Sequence, residues 1–158
     1  MKSQVLIARL LPALLPALLL GLTLTTTVAL PASAAAPAKV ATPAETAAQV
    51  RSQWAEAKKA YEAAVKPYAG KPEYAATLKQ FGETLDATGL ALEQYLTLKL
   101  AAPPTPATKI TPVVDQIAKN LTTLRALQGK AGSGLVTVLG AALGQHNQIT
   151  QNALKNMR

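Results

Sequence analysis

The chain has 158 residues, with 16 Lys and Arg against 8 Asp and Glu, a formal net charge of +8, one histidine, one tryptophan and no cysteine. Without cysteine there is no disulfide framework, no thiolate metal centre and no cysteine for lipid attachment, so a fold has to rest on its apolar core alone. The basic surplus favours acidic partners, but it does not choose among nucleic acid, anionic lipid headgroups and acidic envelope polymers.

At the N-terminus Lys2 and Arg9 precede an apolar run from Leu10 to Leu24, and the small residues Ala32-Ser33-Ala34 follow. A positive region, an apolar region and an A-x-A site, in that order, make a secretory signal peptide over residues 1–34, with cleavage after Ala36 as the near alternative. Pro12 and Pro16 interrupt the apolar run, which argues against a retained membrane anchor needing about 20 apolar residues. The processed protein is therefore expected in the periplasm or outside the cell, not as a transmembrane protein. Loss of Lys2 and Arg9 lowers its formal charge to +6.

Residues 35–41, small and proline-containing, are expected to form a tail ahead of a single helical domain over residues 42–158. Thr42-Pro43-Ala44-Glu45 has a hydroxyl at the N-cap, proline at the first helical position and a carboxylate at the third. This is a capping box, and it predicts a helix from Pro43. Ala47, Val50, Trp54, Ala57, Tyr61, Ala64 and Tyr68 follow at alternating spacings of three and four, the seam of a bundle helix. Pro67 and a left-handed stop at Gly70 are expected to end it, giving a first helix over 43–68.

Pro72 and Glu73 begin a second helix over 72–101, and so short a turn makes the first two helices antiparallel neighbours. Its apolar positions are Tyr74, Leu78, Phe81, Leu85, Leu92 and Leu96, widened by Leu90, Leu98 and Leu100. Gly82 and Gly89 each weaken it by about 1 kcal/mol relative to alanine, which predicts a bend or break near residues 86–89. Residues 102–111, proline-rich, read as an extended connector; eight such residues reach about 25 Å.

Thr111-Pro112 repeats the cap chemistry of Thr42-Pro43 and predicts a third helix over 112–129, with Val114, Ile117, Leu121 and Leu124 on its seam and a stop at Gly129. After a glycine-rich turn, a fourth helix is expected over 135–156. No period-two strand pattern occurs. The expected fold is all-α: a small antiparallel four-helix bundle, built as two helical hairpins joined by the proline-rich connector.

The fourth helix differs from the others. From Ala131 to Leu154 the sequence holds no Asp, Glu, Lys or Arg, although a bundle helix normally shows water a charged face. Its seam is Leu135, Leu139, Ala142, His146, Ile149 and Ala153. The opposite side presents Thr137, Gly140, Ala141, Gly144, Gln148 and Gln151, and the Gly140/Gly144 spacing lets another backbone come close. This is the candidate face for a second copy or another protein partner, unless the connector or the tail covers it.

A second candidate surface is cationic. Lys58, Lys59, Lys66, Lys71 and Lys79 alternate with Tyr61, Tyr68 and Tyr74 around the first hairpin tip, a mixture that can hold an acidic envelope polymer or an anionic lipid surface. Tyr61 and Tyr68 also lie on the core seam, which favours packing for the rings.

Catalytic and cofactor chemistry find little support, and no catalytic residue, metal ligand or cofactor is expected. His146 lies on an apolar seam with no cysteine in the chain. Met157 is about 16 Å further along the same axis, so the two cannot ligate one haem iron. No Glu-x-x-His pair or G-x-S-x-G elbow occurs, and Glu83 and Asp86 read as a solvated face beside Lys79. Asn120-Leu121-Thr122 matches a glycosylation acceptor, which bears only on a eukaryotic source. The sequence therefore points to a non-enzymatic exported bundle that binds or scaffolds.

Overall fold

A computed structural model describes residues 41–157. The signal peptide, its cleavage sites and all of the expected tail except Ala41 lie outside the described residues. The capping box forms as its residues dictate: the Glu45 amide donates to Thr42 Oγ1 at 3.2 Å, and the Thr42 amide donates to Glu45 Oε2 at 2.7 Å. From this cap α1 runs Pro43–Val65 and ends in a 3-10 turn, Lys66–Tyr68. Helix α2 is Pro72–Leu100, α3 is Ala107–Lys130 and α4 is Ser133–Asn156. Among the described residues there is no strand, and no helix is long and apolar enough to cross a membrane.

Four expectations need correction. Helix α2 is unbroken through Gly82 and Gly89, because tertiary packing of its apolar face outweighs a propensity loss of about 2 kcal/mol. Helix α3 starts at Ala107, so the connector expected over 102–111 is only residues 101–106, and Pro112 sits inside the helix. There the Thr111 hydroxyl donates back to Ala107 O at 3.0 Å, as an interior helical threonine does. Gly129 lies within α3, and no glycine among the described residues has positive φ, so neither Gly70 nor Gly129 provides a left-handed stop.

The fourth correction concerns helix pairing. The backbones come closest between α2 and α3, across the connector, and between α1 and α4; α1 and α2 approach much less closely. They are antiparallel neighbours through long side chains: Arg51 with Glu93, Trp54 with Gly89, Lys58 with Asp86, and Tyr61 with Gly82. Helix α4 runs antiparallel to α1, with Trp54 beside His146 and the Tyr68 hydroxyl donating to Gly134 O at 3.0 Å. The four helices thus pack side by side as a bundle.

The core is divided in two. One apolar cluster holds Val50, Leu92, Leu96, Ile117, Ile149 and Met157; the other holds Phe81, Leu85, Leu124, Leu135, Leu139 and Leu143. Trp54 and Leu121 touch both. Thr88, Asn120, His146 and Thr150 are the buried polar side chains among the described residues, one each from α2 and α3 and two from α4. Along their helices Thr88, Asn120 and His146 each fall between a residue of one cluster and a residue of the other.

Candidate functional site

Helix α4 buries every residue of its expected seam, from Leu135 to Ala153. Of the candidate partner face, Thr137, Ala141, Gly144, Gln148 and Gln151 are exposed, so no described residue covers them. Gly140 is the exception. A Cβ there would stand 2.8 Å from Gln128 Nε2, so it is turned toward α3, whereas at Gly144 a Cβ would meet nothing within 4 Å. The face continues onto α1, where Ala60 and Ala64 join Thr137, Ala141 and Gln145 around a shallow groove of about 300 Å³. A second depression of about 220 Å³ brings Gln53, Gln148 and Asn152 together with one charged group, Glu56. Small side chains on both helices explain the close α1/α4 packing, and the amides at the rim each offer a donor and an acceptor.

The five lysines do not form one patch. Lys58 Nζ lies 2.6 Å from Asp86 and 4.0 Å from Glu62, and its hydrogen bond to Asp86 pushes its pKa up. Lys79 lies 4.0 Å from Glu83. These two belong to the α1/α2 boundary with its acids. Lys59 is exposed along α1. Only Lys66 and Lys71 are at the tip, where the Lys71 ammonium stands 5.6 and 5.7 Å from the ring centroids of Tyr68 and Tyr74. The N-termini of α2 and α4 also end at this tip without side-chain caps, adding their positive dipole ends to the two cations.

His146 is fully buried. Its Nδ1–H donates to Ala142 O at 2.8 Å, which fixes the neutral tautomer and leaves Nε2 as an acceptor with no partner. The ring meets Trp54 edge-to-face at 4.6 Å between centroids. Burial lowers the imidazole pKa, against a smaller opposing effect of the Ala142 carbonyl. Asn120 Oδ1 accepts from Gln116 Nε2 at 2.8 Å, and Asn120 Nδ2 has no partner. The hydroxyls of Thr88 and Thr150 each donate to the carbonyl one turn back.

This polar layer escaped the sequence analysis apart from His146. The signal was present: Asn120 falls between Ile117 and Leu124, and Thr88 between Leu85 and Leu92, at the three-and-four spacing of the seams. Burial of Asn120 also takes the glycosylation acceptor out of reach in the folded domain. Comparison with protein-family models, curated proteins and solved structures finds no match to this chain.

Proposed function

We propose that this is an exported, non-enzymatic binding or scaffolding protein, processed by removal of residues 1–34, that meets a protein partner through the uncharged face of α4 and the adjoining edge of α1. The observation that carries this reading is the charge-free stretch from Ala131 to Leu154, whose outer residues are exposed and not spent on packing within the bundle. A charge-free helix exposed to water along its length is unusual for a solitary domain, and small side chains edged by amides suit close contact with another backbone. Sedimentation of the full chain, alone and after recovery from envelope extract, tests it. Association is expected, and Ala141→Arg with Gly144→Arg weakens it at least about a hundredfold, because unpaired guanidinium groups are then buried. A strict monomer with no co-purifying protein, unaltered by the double variant, refutes it.

The tip supports a second reading, binding of an acidic polymer or anionic lipid surface. The observation favouring it is that Lys66, Lys71, two tyrosine rings and two uncapped helix N-termini converge there. Binding of that kind weakens steeply with salt and is lost when Lys66 and Lys71 are both changed to Gln, while partner-face variants leave it intact.

A further inference from the structure

We propose that His146 operates an acid-sensitive opening of the bundle: a proton taken up at its Nε2 releases Trp54 from the boundary between α1 and α2. The proposal starts from what surrounds the ring. Its Nδ1–H is already committed to Ala142 O, so an imidazolium would present a second N–H, at Nε2, where the fold provides no acceptor. The unpartnered group of Asn120 in the same layer is also a donor, Nδ2, and cannot serve.

No buried anion compensates a charge at this position. Among the described residues no Asp or Glu is buried. On α4 itself there is no charged side chain between Ala131 and Leu154. On α1, Arg51 and Lys58 turn toward α2, where they pair with Glu93 and Asp86, and Glu56 is exposed at the rim of the α1/α4 depression beside Gln145 and Ile149. On α2, Asp86 and Glu93 are held at the surface by Lys58 and Arg51, both at 2.6 Å. On α3 the charged neighbour of Asn120 is Lys119, an exposed cation. The Trp54 ring, edge-to-face with the imidazole, is the side chain the opening displaces.

The bundle also has a weak boundary at the right place. Helices α1 and α2 leave hollows of about 170 and 410 Å³ along their boundary, one lined by Trp54 and Gly89, the other by Tyr61 and Gly82. Trp54 forms a wall of the smaller hollow, with Gly89 on one side and His146 on the other. The ion pairs that clasp this boundary, Arg51 with Glu93 and Lys58 with Asp86, are half exposed.

The sign of the effect follows. A solvated imidazole titrates near pH 6.5 and the buried one lower, so the open form binds more protons as pH falls below about 6.5, and acid favours opening. Between pH 7.5 and 5.5 the opening equilibrium rises by up to about tenfold. The chain has a single histidine, so no other side chain at its ordinary pKa titrates in that window.

The test is urea titration of the full chain at pH 7.5, 6.5 and 5.5, followed by the fluorescence of its one tryptophan and by helical circular dichroism. Wild type is expected to lose about tenfold in the equilibrium reported by Trp54, with the fluorescence change preceding loss of helix, and His146→Gln is expected to be flat across the range. A change under twofold in wild type, retention of the full slope in His146→Gln, or coincident fluorescence and helix transitions overturns the proposal. If His146→Gln fails to fold, the wild-type imidazole titration by NMR decides: a ring titrating at or above pH 6.5 overturns it.

Discussion

Gly82 and Gly89 lie on the same helix, seven residues apart, and the same substitution is expected to stabilise at the first and not at the second. A Cβ at Gly82 would stand 3.8 Å from the Tyr61 hydroxyl, an ordinary contact, so Gly82→Ala contributes its helix propensity, about 1 kcal/mol. A Cβ at Gly89 would stand 2.7 Å from Trp54 Nε1 and 3.1 Å from Cε2. The indole is rigid and backed by His146 at 4.6 Å, so it cannot give way cheaply. Overpacking of about 1–3 kcal/mol then offsets or outweighs the propensity gain, leaving Gly89→Ala less stable by up to about 2 kcal/mol. At about 4 °C per kcal/mol for a domain of this size, thermal unfolding should place Gly82→Ala above wild type and Gly89→Ala at or below it, about 4–12 °C apart, with Trp54 emission displaced only in the latter. A Gly89→Ala protein as stable as Gly82→Ala would refute the seating of Trp54 on the α2 backbone.

Two further predictions concern alkaline pH and the start of α3. Burial, assisted by Asp86 and Glu62, pushes the Tyr61 phenol up to about 12. The fold keeps this proton after an unfolded tyrosine has lost it, so stability declines as pH rises from about 10 toward 12. Phenolate absorbance should show a late-ionising component that shrinks in Tyr61→Phe; a late component unchanged by that substitution, or none at all, contradicts it. Pro112 is exposed inside α3 and cannot donate to the carbonyl of Thr108. Pro112→Ala should therefore stabilise the protein by about 1–3 kcal/mol, and a lower melting temperature would show that the ring is needed there.

Where the sequence was legible, one local rule governed the outcome. Every residue that the 3-4 spacing placed on the α4 seam is buried, but the buried stripe is wider than that spacing and also takes in Leu143 and Thr150. The cap at Thr42 was legible because Glu45 completes it. Thr111-Pro112 misled because the proline was read without its partner: the third position of that would-be helix is Val114, which cannot return a hydrogen bond to the cap. Helix pairing was not legible from turn lengths. A short turn makes α1 and α2 neighbours, but how closely backbones approach depends on side-chain size across the contact, alanines between α1 and α4 against Trp54, Tyr61 and Phe81 between α1 and α2. Leu90 shows the same limit in one residue: it extends the apolar stripe of α2 and yet is 74% exposed, because no helix packs on that side.

The absence of charge on α4 acts in two directions. Outward, it leaves Thr137, Ala141, Gly144, Gln148 and Gln151 in water without the cations and anions that discourage association. Inward, it leaves His146 without a carboxylate on its own helix to stabilise an imidazolium, while α1 and α2 keep theirs at the surface. A carboxylate placed one turn from His146 on the inner side would abolish the acid response without touching the outer face. Arginine at Gly144 would block a partner while leaving the imidazole as it is. The two properties share a cause in the sequence and separate in the structure, because the helix presents its two sides to different surroundings.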